Sequence, residues 1–305
     1  MTPTSPLPLL TIAGSDSGGA AGLQADLKTW AALGAEGYSL HGMSAITAVT
    51  AQNSVRVEAV HYLPPDFVAA QIDAVLADYG AAGIKTGFLG RVDTIEAVAD
   101  RLNDWREKLQ PRPVVIIDPV LVNHRGEAMF GPEVAAVYRQ LLFPLADLVT
   151  PNAAEAALLG IRDDGPPAPC RATTDHGEDA PSAVRGLFLI KGLRRGDEII
   201  DILRDGRHRI ALPQPRIDTI NTHGSGDTLS AAVCAFAALG NVALGNVTLG
   251  NVALGNVALG NVALGNDWLD AVRRAQAFTH AAIRRGASRQ LGAGHGPLGH
   301  SQGDG

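Results

Sequence analysis

The sequence predicts an α/β fold in which a mostly parallel central sheet is flanked by helices on both faces. Three observations carry that expectation. Short apolar runs alternate with segments of helical spacing along most of the chain, as strand–helix–strand units do. Val114-Val115-Ile116-Ile117 sets four β-branched residues in a row, which suits a parallel strand covered on both faces. Several runs end in a glycine-rich turn or a single charged residue, at the edge where open α/β sheets bind ligands.

Residues 8–13 read as a buried first strand that enters the loop Gly14-Ser15-Asp16-Ser17-Gly18-Gly19. Helical spacing follows from Ala20 to Leu33, and residues 43–51 read as a strand leading to Gln52-Asn53. A helix is expected over 66–79, with Asp66 as its cap. Ala82–Gly87 reads as a short strand and turn, and Asp93–Leu109 as a helix. The 114–120 strand puts Asp118 at its carboxyl end. Pro132–Leu142 is again helical, Asp147–Thr150 a short strand, and Ala153–Leu159 a helix started by Asn152. Leu187–Lys191 reads as a strand ending at Lys191, and residues 267–284 as the last helix.

Two stretches break the alternation. Residues 163–182 are rich in Pro, Gly and charge and read as a surface loop. Residues 240–264 are five tandem copies of Gly-Asn-Val-Ala/Thr-Leu. A five-residue period matches neither helix nor strand. A pentapeptide-type β-coil is one reading; a repeat expansion inserted between two helices is the simpler one, because longer loops cost little extra entropy. With that loop and insertion set aside, residues 1–305 form a single expected domain.

Composition narrows the function classes. A net charge of −6 with no basic stretch argues against nucleic acid as a partner. Two cysteines, Cys170 and Cys234, are too few for a disulfide scaffold and fit a cytoplasmic setting. No signal peptide is evident. The uncharged stretch between Asp227 and Asp267 contains recurring Asn, which is costly in hydrocarbon, so no membrane span is expected.

The chemistry concentrates in Asn221-Thr222-His223-Gly224-Ser225-Gly226-Asp227-Thr228-Leu229-Ser230, a glycine turn opening into an alanine-rich helix. Such a turn leaves backbone amides aimed at one point beside the positive end of a helix, which suits an anion. Asp227 adds a carboxylate able to take a proton from an attacking hydroxyl. An anion cradle next to a base points to phosphoryl transfer, although an Asp at a helix start is also a common cap. The 13–26 loop is too glycine-dense for an ordinary connection but lacks the P-loop ending and the dinucleotide spacing. It suits close backbone approach to a small ligand, and Asp26 lies one helical turn past Gly22. Asn152 and Glu155 have the spacing of a capping box; as functional groups, Glu155 would hold Mg²⁺ through water and Asn152 would touch phosphate. Lys191 offers a cation to nucleotide phosphates.

Taken in order, these motifs resemble the hydroxymethylpyrimidine/phosphomethylpyrimidine kinases of thiamine biosynthesis, within the ribokinase-like superfamily. The carrying segments are Thr11–Asp16, Gly22–Thr29, Ala45–Asn53, Ile84–Gly87, Asp118-Pro119-Val120, Thr150-Pro151-Asn152 with Glu155, and Asn221–Ser230. The resemblance implies a pyrimidine pocket lined by Gly14, Ala21, Asp26, Gln52 and Val120, with Asp26 and Gln52 bonding the aminopyrimidine edge. It implies an anion hole of Gly224, Ser225 and Gly226, Asp227 as base, and Asn152, Glu155 and Lys191 handling Mg²⁺ and ATP. A homodimer acting on a small pyrimidine is the expected assembly. Pyridoxal kinase on the same fold is the nearest alternative, followed by a non-catalytic ligand-binding protein and a scaffold role for the repeat. The chain departs from the family pattern in several places. Many relatives carry Cys where Asp227 stands, Phe88 stands where Met is frequent, residues 36–40 look inserted, the 163–182 loop replaces a segment usually helical, and Leu193 replaces a second glycine after Lys191.

Overall fold

The computed structural model describes residues 5–123, 126–161, 186–205, 208–248 and 266–301. Among them, nine strands form one sheet in the order β3-β2-β1-β4-β5-β6-β7-β8-β9. The strands are β1 (Leu7–Ser15), β2 (Leu40–Gln52), β3 (Val57–Tyr62), β4 (Gly83–Thr86), β5 (Val114–Ile117), β6 (Leu148–Val149), β7 (Phe188–Arg195), β8 (Glu198–Arg204) and β9 (Arg209–Pro215). The helices are α1 (Gly22–Ala35), α2 (Pro65–Asp78), α3 (Val92–Lys108), α4 (Pro132–Val137), α5 (Ala153–Leu158), α6 (Ser225–Thr248) and α7 (Asn266–Gly286). The six strands from β2 to β7 pair in parallel, while β3, β8 and β9 are antiparallel additions at the two edges.

The alternation of side chains along a strand divides the core into two layers. Leu10 and Ile12 of β1 and Val115 and Ile117 of β5 join Val68, Ile72, Ile95 and Val98 of α2 and α3 on one face. Leu9, Val114 and Ile116 join Trp30 and Leu33 of α1, Val233 of α6 and Phe278 of α7 on the other. Strands buried on both sides read as continuous apolar runs, which is why β1 and β5 stand out in the sequence. The Trp30 indole N–H donates to the Ala231 carbonyl at 2.9 Å and ties α1 to α6.

The chain leaves β1 for β2 on one side and returns to β4 on the other. That reversal opens a crevice at the carboxyl ends of β1 and β4, the place where such sheets take ligands.

Several expectations need correction. Asp66 is not the cap of α2: Pro64 holds that position, Pro65 begins the helix and Asp66 lies in its first turn. Strand β7 does not end at Lys191 but runs on to Arg195 through a bulge between Ile190 and Leu193. The repeat does not begin after a helix: α6 continues through residues 240–248. An established helix propagates easily once nucleated, and a single glycine costs it only about 1 kcal/mol. The rest of the repeat and the 163–182 loop lie outside the described residues.

Candidate active site

Two glycine turns interlock at the crevice. Gly224 sits at φ +82° and a side chain there would run into the Ala20 carbonyl, so the turn before α6 lies directly on the loop before α1. Gly22, at φ +59°, faces the Gly14 carbonyl with equally little room. Only glycine fits such backbone approaches at positive φ. Their contact brings the Gly22 amide within 3.0 Å of Asp227 Oδ2, to which it donates.

The other Asp227 oxygen, Oδ1, stands 3.3 Å from Lys85 Nζ. Lys85 projects from β4, is fully buried, and lies 2.8 Å from Asp26 Oδ1 and 2.9 Å from Asp26 Oδ2. Thr11 Oγ1 donates to Asp26 at 2.6 Å. Burial alone would raise the Asp227 carboxylate, but Lys85 and the Gly22 amide outweigh it and hold the group below its ordinary range. Asp26 goes the other way: burial lifts it to about 7 against the pull of Lys85. Asp26, expected at the pyrimidine edge, is engaged from within the protein. Its side chain has no exposed surface and faces Lys85 and Thr11.

At the start of α6, the Ser225 amide donates to the Thr222 carbonyl at 3.1 Å and the Thr228 amide to the Gly224 carbonyl at 2.9 Å. The amides of Gly224, Gly226 and Asp227 have no acceptor among the described residues. Of the three residues expected to form an anion hole, Gly224 and Gly226 present open donors, whereas the Ser225 amide is turned into its own loop.

On the β2 side, Gln52 is half-buried and its Nε2 lies 3.2 Å from His223 Nε2. The His223 ring also stands 3.7 Å from Asp16 Oδ2. The Asp16 carboxylate accepts the amides of Gly18, Ala20 and Ala21 at 2.8–2.9 Å, which sets the shape of the first glycine loop and holds Ala21 in it. Gly14 is buried against the Phe88 ring, whose Cδ1 would be 3.0 Å from a Cβ at that position. Phe88 stacks with Tyr62 and leans on Phe130. Val120 is half-buried, two residues beyond Asp118. A cavity of about 40 Å³ borders Gln52 and His223.

On the opposite side, Lys191 Nζ is 2.7 Å from Asp118 Oδ1 and would be 3.2 Å from a Cβ at Gly226, which puts the ammonium beside the α6 amides. Ser230 Oγ donates to Asp118 Oδ2 at 2.7 Å. Asn152 and Glu155 form a complete capping box at α5, and Asn152 forms a bridge to Lys191. Both Glu155 oxygens are engaged, Oε1 by the Leu121 amide and Oε2 by the Asn152 amide. Burial raises Glu155 to about 7 against Lys191, with Asp118 adding to the rise. Among the described residues no three His, Cys, Asp or Glu side chains are grouped to hold a metal directly. A divalent cation that keeps its water and arrives with phosphates fits this donor set, as Mg²⁺ does.

Lys85, Asp118, Asp16, His223 and Ser230 were not singled out as site residues by sequence reasoning. Lysine inside a fully buried four-residue strand was the legible signal for Lys85, since a charge there needs partners. Ser230 and Asp16 lie inside the two glycine-turn motifs, but nothing local tells their contacts to Asp118 and to the first loop.

Residues 16–251 match the family model described as phosphomethylpyrimidine kinase. The chain belongs to this family. A hydroxymethylpyrimidine/phosphomethylpyrimidine kinase of Rhizobium meliloti (strain 1021) is 38% identical over 95% of this chain and 96% of its own length. Among solved structures, a Bacillus subtilis pyridoxal kinase in an ADP complex is 30% identical, covers 97% of this chain and 98% of its own, and superposes with a TM-score of 0.68. A phosphomethylpyrimidine kinase from Clostridium difficile 630 is 28% identical, covers 91% of this chain and 99% of its own, with a TM-score of 0.62. As a family member the chain is a kinase of the hydroxymethylpyrimidine/phosphomethylpyrimidine type, built on the ribokinase-like α/β fold.

Proposed function

We propose that this chain transfers the γ-phosphoryl group of ATP to 4-amino-5-hydroxymethyl-2-methylpyrimidine, and then to the monophosphate so formed, in thiamine biosynthesis. The observation that carries the reading is the setting of Asp227: a carboxylate kept ionised by Lys85 and the Gly22 amide, beside the open amides of Gly224 and Gly226. In the first step the hydroxymethyl oxygen attacks the γ-phosphorus in line, the bond from that phosphorus to the bridging oxygen breaks, and ADP leaves. The hydroxyl proton passes to Asp227 as the new P–O bond forms. The Gly224 and Gly226 amides and Lys191 face the charge on the transferring group. Mg²⁺ carried in with the nucleotide would neutralise phosphate charge; Glu155 would meet it through water, and Asn152 would contact a phosphate. Gly14, Ala21, Gln52 and Val120 would line the pyrimidine site, while Asp26 acts behind it through Lys85.

The remaining features of the reading are a single catalytic domain, a cytoplasmic setting that suits a chain with two cysteines, and a homodimer. No helix among the described residues is long and apolar enough to cross a membrane. Coupled ADP release on the pyrimidine alcohol, its monophosphate and pyridoxal tests the substrate. Both pyrimidines should be turned over, with kcat/KM for the alcohol at least about 100-fold above pyridoxal. Turnover of pyridoxal alone would make the chain a pyridoxal kinase, and transfer to none of the three would make it a binding protein.

A further inference from the structure

Lys85 is the one buried cation of β4, and its surroundings exceed what a structural ion pair needs. Asp26 alone would neutralise it, with both carboxylate oxygens within 2.9 Å of Nζ. Yet the same ammonium also reaches Asp227 Oδ1 at 3.3 Å, across the gap between strand β4 and the first turn of α6. Asp26 is in turn pinned by Thr11 Oγ1 from β1, so three elements fix the position of one Nζ. Gly87 leaves the space beside it: a Cβ there would lie 3.3 Å from Nζ.

We propose that Lys85 is a positioning residue for the phosphoryl-transfer base: anchored by Asp26 and Thr11, it holds Asp227 ionised and aimed in the crevice. The proposal rests on Asp227 being the base. The charged and titratable groups facing Lys85 are Asp26 on α1, Asp227 on α6, Asp118 just past β5 and, further off, the Cys234 thiol on α6, while Lys191 on β7 acts on Asp227. Burial would lower the ammonium, but Asp26, Asp227 and Asp118 reverse that and keep it charged. With Lys85 removed, burial, which raises a carboxylate, is opposed on Asp227 only by the Gly22 amide and Lys191. Ionised Asp227 is the active form. A raised pKa therefore moves the acid side of the activity profile to higher pH and leaves the alkaline side standing.

The test is the pH dependence of kcat for Lys85→Met and for Asp26→Asn with Lys85→Met, the double variant leaving no orphaned carboxylate at position 26 if the single one fails to fold. Wild type, Asp227→Asn and calorimetric binding of the pyrimidine alcohol run in parallel. The acid limb should move up by at least about two pH units in whichever Lys85 variant folds, with pyrimidine affinity within a few-fold of wild type. A limb that stays in place, or a loss that is uniform across pH, overturns the proposal and leaves Lys85 a structural residue. An active Asp227→Asn instead removes the base assignment itself, so the two failures are separate readings of one data set.

Discussion

Gly224 carries the tightest steric demand in the site. At φ +82°, with the Ala20 carbonyl where a side chain would go, it admits no Cβ without moving one of the two loops. Gly224→Ala should cost about 1–2 kcal/mol for the left-handed backbone alone, with more for the clash. It should lower the melting temperature by several degrees and kcat more than tenfold, because the Gly22 amide and Asp227 separate together. Wild-type kcat and melting temperature in that variant would contradict the interlocked-turn geometry. This turn was legible through its company: Gly-Ser-Gly-Asp alone is also an ordinary turn and cap, and the other motifs in their order gave it its meaning. Asp26 was legible only as a carboxylate near the loop. Its pairing was not legible because the partner, Lys85, lies 59 residues away in sequence, and one-dimensional spacing cannot show such a contact. The bond of the Ser225 amide to Thr222 was hidden for a related reason: a turn bonds internally, and which amide it consumes depends on its dihedral angles.

At the scale of elements, strands buried on both faces were legible and strands at the edges were not. β1 and β5 are apolar throughout because helices cover both sides. β3 shows no apolar run, and nearly all of it is exposed. β9 contains Pro213 and Pro215, which remove donors and belong on an edge. The Arg195–Glu198 turn between β7 and β8, with Gly196 at its centre, was a hairpin signal available in the sequence. The β3 edge also supports the proposed homodimer. Among the described residues no strand pairs with its outer side, and Val57 and Val60, with Val55 just before β3 and Val49 of β2, are exposed, a combination that invites pairing with another strand. Sedimentation equilibrium at micromolar concentration should give a dimer, and Val57→Lys with Val60→Lys should give a monomer. A monomeric wild type would contradict the homodimer, and a double variant that remains dimeric would place its interface elsewhere.

Across the whole molecule, one sheet reversal and three helix starts place four carboxylates and two lysines around one crevice. Asp26, Asp118, Glu155 and Asp227 face Lys85 and Lys191. On the proposed reading the two lysines divide the work: Lys85 would serve the base behind the pyrimidine site, and Lys191 would stand beside the amides that receive phosphate. This division follows from β4 and β7 lying on opposite sides of β5, and it was not readable from either lysine alone. Five departures from the family pattern were legible. Phe88 packs on Gly14, Leu193 pairs with Ile200 in β7–β8, and Asp227 keeps an anion beside Lys85. The proposed reading turns on Asp227 as the group that accepts the substrate proton. The most direct test is coupled ADP release by Asp227→Asn with the pyrimidine alcohol, alongside calorimetric binding of that alcohol. The account predicts a loss of kcat of about 1000-fold with binding retained; near-normal turnover would contradict it.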